Sequence, residues 1–116
     1  MVVEGRAKKL SAYVGEADVY DERPLYQALV EQARIQGCAG ATVLRGLTGY
    51  GATSREHGKH ALRMSVDLPV VVLVIDEPVK ITALAEVWNA MVRNGLITVE
   101  DTNVLLYQGG ISREDE

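Results

Sequence analysis

Six consecutive residues, Val70-Val71-Val72-Leu73-Val74-Ile75, are aliphatic, and no other feature of the chain restricts its fold as much. A short run rich in β-branched side chains specifies a strand, and Asp76-Glu77-Pro78 closes it. Side chains of a strand alternate between two faces, so an uninterrupted apolar run requires both faces to be dry. A chain of 116 residues, 47% of them hydrophobic, builds one core and one domain. Helices packed on one side of a sheet cover one face of this strand. Its other face needs either another subunit, the simplest cover, or the chain's own loops or tail.

The surrounding segments supply the rest of a sheet. Leu10, Ala12 and Val14 alternate with Lys9, Ser11 and Tyr13, which predicts a strand over residues 9–14 with one face in the core. After the polar stretch 15–23, Pro24 suits the first turn of a helix in which Leu25, Leu29 and Ala33 recur at i+4. Gly37 stands where a left-handed C-cap is expected. Residues 41–48 read as a second strand, and a third is predicted over about 65–75, with Pro69 marking an edge position or a bulge in its first half. Pro78 opens a second helix with Ile81, Leu84, Ala85, Trp88, Met91 and Val92 on one face, stopped by Asn94-Gly95. A polar connection over 98–103 then leads to a short final strand over 104–107, and the acidic end 111–116 is expected to fray. The order β-α-β-β-α-β defines a single α+β domain over residues 1–116, with its core at about 9–108. Its plan is ferredoxin-like, an antiparallel sheet with two helices on one face.

Composition narrows the function classes. The formal net charge of -4 disfavours non-specific binding to nucleic acid or anionic membranes, both of which select a basic footprint. Cys38 is the only cysteine, which excludes an intrachain disulfide and any multi-cysteine metal or iron–sulfur centre. Residues 1–14 carry Glu4, Arg6, Lys8 and Lys9 with no apolar core of a signal peptide, and the run 70–75 is too short to span a bilayer, so the cytoplasm is the expected location. No GxSxG, Walker A or strand-linked GxGxxG pattern is present, and Asp76-Glu77 reads as a strand end complementing the next helix dipole. The expectation is a protein that is not an enzyme.

The segment from Gly49 to Met64 is longer than a hairpin needs and carries Arg55, Lys59, Arg63, His57 and His60 against the single acid Glu56. A locally cationic loop on an acidic protein reads either as an anion or partner site or as a solvated hairpin tip. Gly49-Tyr50-Gly51, which leads into it, permits close backbone approach to a ligand or makes a tight turn out of the strand. His57 and His60 stand at i, i+3 around a glycine, without the i, i+4 spacing of a helical zinc pair, and read as phosphate partners or solvated residues ahead of metal ligands.

The segment Val43-Leu44-Arg45-Gly46-Leu47-Thr48-Gly49-Tyr50-Gly51, the basic loop through His57 and the run Pro69 to Asp76 resemble an uncharacterised-domain family (domain of unknown function 190) related to the PII signalling proteins. The resemblance extends over about residues 9–108. It implies a homotrimer with the sheets turned inward, an adenine nucleotide in the cleft between subunits, and the loop 52–64 as the element that reports nucleotide state to a target. In the place of the glycine- and lysine-rich phosphate loop of PII proteins stand residues 94–103 with Glu100 and Asp101, which favours AMP, ADP or a cyclic nucleotide over ATP. The leading reading is therefore a ligand-sensing regulator with no obligatory cofactor, which acts on a partner such as a membrane channel or transporter. Gly49, Tyr50 and Gly51 would form its backbone cradle, and Arg45, Arg55 and Lys59 its phosphate contacts. The alternative is a metal-responsive trimer similar to the copper-tolerance protein CutA, using His57 and His60.

Overall fold

The computed structural model describes residues 5–51 and 67–108. The first strand, β1 (Gly5–Gly15), is followed by a two-residue hairpin, β2 (Val19–Tyr20) and β3 (Arg23–Pro24). Helix α1 (Leu25–Ile35) leads to β4 (Thr42–Arg45), then β5 (Pro69–Asp76), α2 (Pro78–Met91) and β6 (Leu96–Val104). The main sheet has the order β4-β5-β1-β6, and every pairing in it is antiparallel. This α+β architecture is compatible with the ferredoxin-like plan expected from the element order.

Both helices pack on the face to which Leu10, Ala12 and Val14 of β1 and Val70, Val72 and Val74 of β5 point. Leu25, Ala28, Leu29 and Ala33 of α1 and Ile81, Leu84, Trp88 and Met91 of α2 complete that core. Trp88 is fully buried, and its Nε1 donates to the Leu29 carbonyl at 3.1 Å, so the indole's one polar group is satisfied by the neighbouring helix. Gly37, at φ 83°, supplies the left-handed residue just past α1 that its position predicts. Pro78 occupies the first turn of α2 behind the N-cap Glu77.

Four sequence expectations need correction. The second strand is shorter than 41–48, and the third begins at Pro69, the first position of an inner strand, where the carbonyl accepts from Gly46 N–H at 2.7 Å and the ring forgoes the return bond to that residue. The last strand is Leu96–Val104, not 104–107, so the stretch taken for a polar connection is ladder. Its polarity is matched across the strands: Lys8 faces Asp101 and Lys9 faces Glu100, with Nζ···O distances of 2.6 Å and 3.5 Å. Finally, the polar stretch 15–23, to which the residue pattern assigns no element, contains the β2–β3 hairpin. Asp21 and Glu22, at φ 53° and 68°, form the two-residue turn between β2 and β3 that a primed hairpin requires.

Candidate functional site

The pleat assigns the second face of the sheet residue by residue. Lys9, Ser11 and Tyr13 of β1 lie between Ile75, Leu73 and Val71 of β5 and Glu100, Thr98 and Leu96 of β6, and Thr42 and Leu44 of β4 continue the row. Among the described residues no helix covers this face. Val71 and Leu73 are nevertheless half-buried, whereas Ile75, Tyr13, Leu44 and Leu96 are exposed. After β6 the chain passes Leu105, Leu106 and Tyr107, and these last two close one side of a cleft of about 500 Å³ on the open face. Lys9, Leu73 and Ile75 form its floor, and residues 39–42 form the opposite wall. The chain's own C-terminal segment thus borders the Ile75 end of the apolar strand without burying Ile75, and Tyr13, Leu44 and Leu96 are exposed around the Val71 end.

The 39–42 wall is held from beneath. Asp76 is fully buried, and its two carboxylate oxygens accept the Ala39 and Glu77 N–H groups, each at 2.7 Å. The residue read as a strand end complementing the helix dipole therefore also ties the wall of the cleft to the start of α2. Lys80 adds a bond from Nζ to the Gly37 carbonyl at 2.9 Å. Burial, with a further contribution from the Asp76 charge and against that of Lys80, raises the pKa of the Cys38 thiol between them. A thiol so placed is poorly nucleophilic at neutral pH.

The residues singled out from sequence lie at the other end of β4. Gly49 has φ 153°, and a Cβ there would stand 3.2 Å from Pro69 Cγ, while one on Gly46 would stand 2.7 Å from the same atom. Both glycines make room for the proline ring, which supports the reading of this segment as a tight exit from the strand. Tyr50 is exposed, and among the described residues nothing stands within 4 Å of a Cβ placed on Gly51. Arg45 is exposed and is paired with Glu16 at 2.7 Å. Arg55, Lys59, His57 and His60, and with them the loop 52–64 and the tail 111–116, lie outside the described residues apart from their flanks. Among the described residues no group of three or more His, Cys, Asp or Glu is placed to hold a metal ion, and no helix is long and apolar enough to cross a membrane.

The structure thus brings Lys9, Thr42, Ile75 and Tyr107 together, none of which stood out in the sequence as a site residue. The alternation of 9–14 puts Lys9 on the outer face. Without the true position of β6, however, nothing in the sequence brings Tyr107 back over that face.

These observations define a class, a small α+β protein whose sheet carries helices on one face and an apolar cleft on the other. Within it, the family model DUF190, described as uncharacterized ACR, matches residues 7–104, and the chain belongs to that family. It is 41% identical over 102 residues to a UPF0166 protein of Aquifex aeolicus, with 86% of this chain and 94% of the relative covered. A UPF0166 protein of Methanocaldococcus jannaschii is 31% identical over 105 residues, with 90% and 94% covered.

Proposed function

We propose that the chain is a PII-like, non-catalytic regulator, a homotrimer that senses a small anionic effector of the adenine-nucleotide class and relays its presence to a protein partner. The observation that carries this reading is the cleft on the open sheet face, which combines an aliphatic floor, an aromatic residue in Tyr107 and one cation in Lys9. Binding sites for flat organic anions have this composition, mostly apolar with a few placed polar groups, and a volume of about 300–1,000 Å³. The cleft lies at the margin of the surface that the proposed trimer covers, so neighbouring subunits complete it. Arg45 and the Gly49-Tyr50-Gly51 turn, at the far end of β4, stand at the base of the loop 52–64, through which the effector state is read by a partner such as a membrane channel or transporter. The effector shifts the regulator between states only by its differential affinity for them.

Glu100 and Asp101 are strand residues paired with Lys9 and Lys8, so they do not line a phosphate loop. The preference for one or two phosphates now rests on Lys9, the single cation that the described residues bring to the cleft. Calorimetry with AMP, ADP, ATP and cyclic AMP on the purified protein tests the reading. Saturable heat with AMP or ADP, at least as tight as ATP, is expected. Absence of any binding up to millimolar nucleotide overturns it and moves the metal-responsive alternative at His57 and His60 ahead.

A further inference from the structure

Two adjacent lysines of β1 have different circumstances. Lys8, on the helix side, is held by Asp101 at 2.6 Å. Lys9, on the open face, reaches Glu100 only at 3.5 Å, and Glu100 is itself 63% exposed. Among the described residues Lys9 is also the only charged one lining the cleft, and its strand neighbour across the ladder is Ile75. An ammonium beside aliphatic surface is less screened than one in open water, and a loose, exposed carboxylate at 3.5 Å contributes little to holding it. The group is therefore available to exchange that carboxylate for a ligand anion at hydrogen-bonding distance.

We infer that Lys9 is the specificity-determining anion contact of this cleft, selecting a flat apolar body that carries one anionic group over its neutral counterpart and over a polyanion. The inference rests on the nucleotide-sensing reading and deepens it. The apolar body is received between the Leu73 and Ile75 side and Tyr107, and the anion by the Lys9 ammonium. A polyanion gains little more, because the described residues bring no second cation to the cleft and Lys9 has Glu100 beside it.

The test compares AMP, adenosine and ATP on wild-type protein, Lys9→Ala and Lys9→Arg by calorimetry, with an aromatic monosulfonate, anilinonaphthalene sulfonate, as a second probe. Wild type is expected to bind AMP about tenfold or more tighter than adenosine, the range of one hydrogen bond to a charged group. Lys9→Ala should erase that difference while leaving adenosine affinity unchanged, and Lys9→Arg should keep most of it. Glu100→Gln should tighten AMP binding by removing the competing carboxylate. An AMP preference that survives Lys9→Ala overturns the role of Lys9 and leaves the sensing reading standing. If wild type binds no adenine compound, the sensing reading fails by itself. The sulfonate then decides: fluorescence lost in Lys9→Ala supports the anion contact, and fluorescence that is absent or unchanged overturns it.

Discussion

At Gly95 the backbone of the last turn before β6 runs so close to β1 that an added Cβ would stand 2.6 Å from the Tyr13 carbonyl oxygen and 3.0 Å from Val92 Cγ1. The first neighbour is main chain of a paired strand and cannot swing aside. Gly95→Ala is therefore expected to destabilise the protein by about 1–3 kcal/mol, read as a lower urea midpoint. Gly51→Ala, with none of the described residues within 4 Å of the added Cβ, should change stability by no more than about 0.5 kcal/mol. The Asn94-Gly95 pair reads in sequence as a helix stop, but α2 ends at Met91, and the glycine serves a close approach that residue spacing does not reveal. The Cys38 thiol titrates above the ordinary value of 9.0, chiefly because of burial. Below that value the thiol is neutral in folded and unfolded chains alike, and its contribution to stability is fully present. As pH rises further, the unfolded chain ionises first and folding loses that contribution. Melting temperatures measured from about pH 8 to about pH 10.5 should fall more steeply for wild type than for Cys38→Ser, and equal slopes would refute the assignment.

The elements differ in how much of them can be read from residues alone. Pro24, Gly37 and Pro78 mark helix ends through fixed φ, missing N–H or left-handed backbone, which are local effects, and α1 and α2 lie where those residues put them. β6 is illegible for the opposite reason. Its Thr98, Glu100, Asp101 and Thr102 look like a solvated connection until Lys8, Lys9 and Ser11 are placed beside them by a pairing some ninety residues away in sequence. The β2–β3 hairpin hides because Asp21-Glu22 adopts positive φ without the asparagine or glycine that normally signals it. Of the candidate site, the glycine turn and Arg45 are visible in sequence, whereas the cleft depends on where β6 and the segment after it lie. The contact between the two helices is equally non-local, and it turns on Trp88. Trp88→Phe removes the bond to the Leu29 carbonyl and leaves space beside it, with an expected cost of about 1–3 kcal/mol. Urea unfolding followed by circular dichroism checks this, since the variant loses the chain's only tryptophan.

For the whole molecule, the run 70–75 asks what covers the second face of the sheet, and one chain supplies a partial answer. The segment carrying Leu106 and Tyr107 borders the cleft at the Ile75 end and leaves Ile75 43% exposed. At the other end Tyr13, Leu44 and Leu96 stand 43%, 52% and 55% exposed around Val71. Contiguous apolar surface of this kind on a small protein marks an association site, and the proposed trimer buries it by turning three sheets toward a common axis. Light scattering at micromolar protein should give three times the chain mass of 12.6 kDa. Leu44→Asp is the decisive variant. Leu44 lies on the edge strand β4, outside the buried core, so a charge there is hydrated in a single chain and costs its fold little. In the trimer the same charge would be stripped of water with no partner, which is strongly unfavourable in an interface of more than about 1,000 Å². The expected result is loss of the trimer, with either a folded monomer by circular dichroism or, if association is obligatory for folding, an unfolded chain that regains structure at high concentration. A wild-type protein that scatters as a folded monomer, or a Leu44→Asp variant that remains fully trimeric, would show that this face is not where the copies meet.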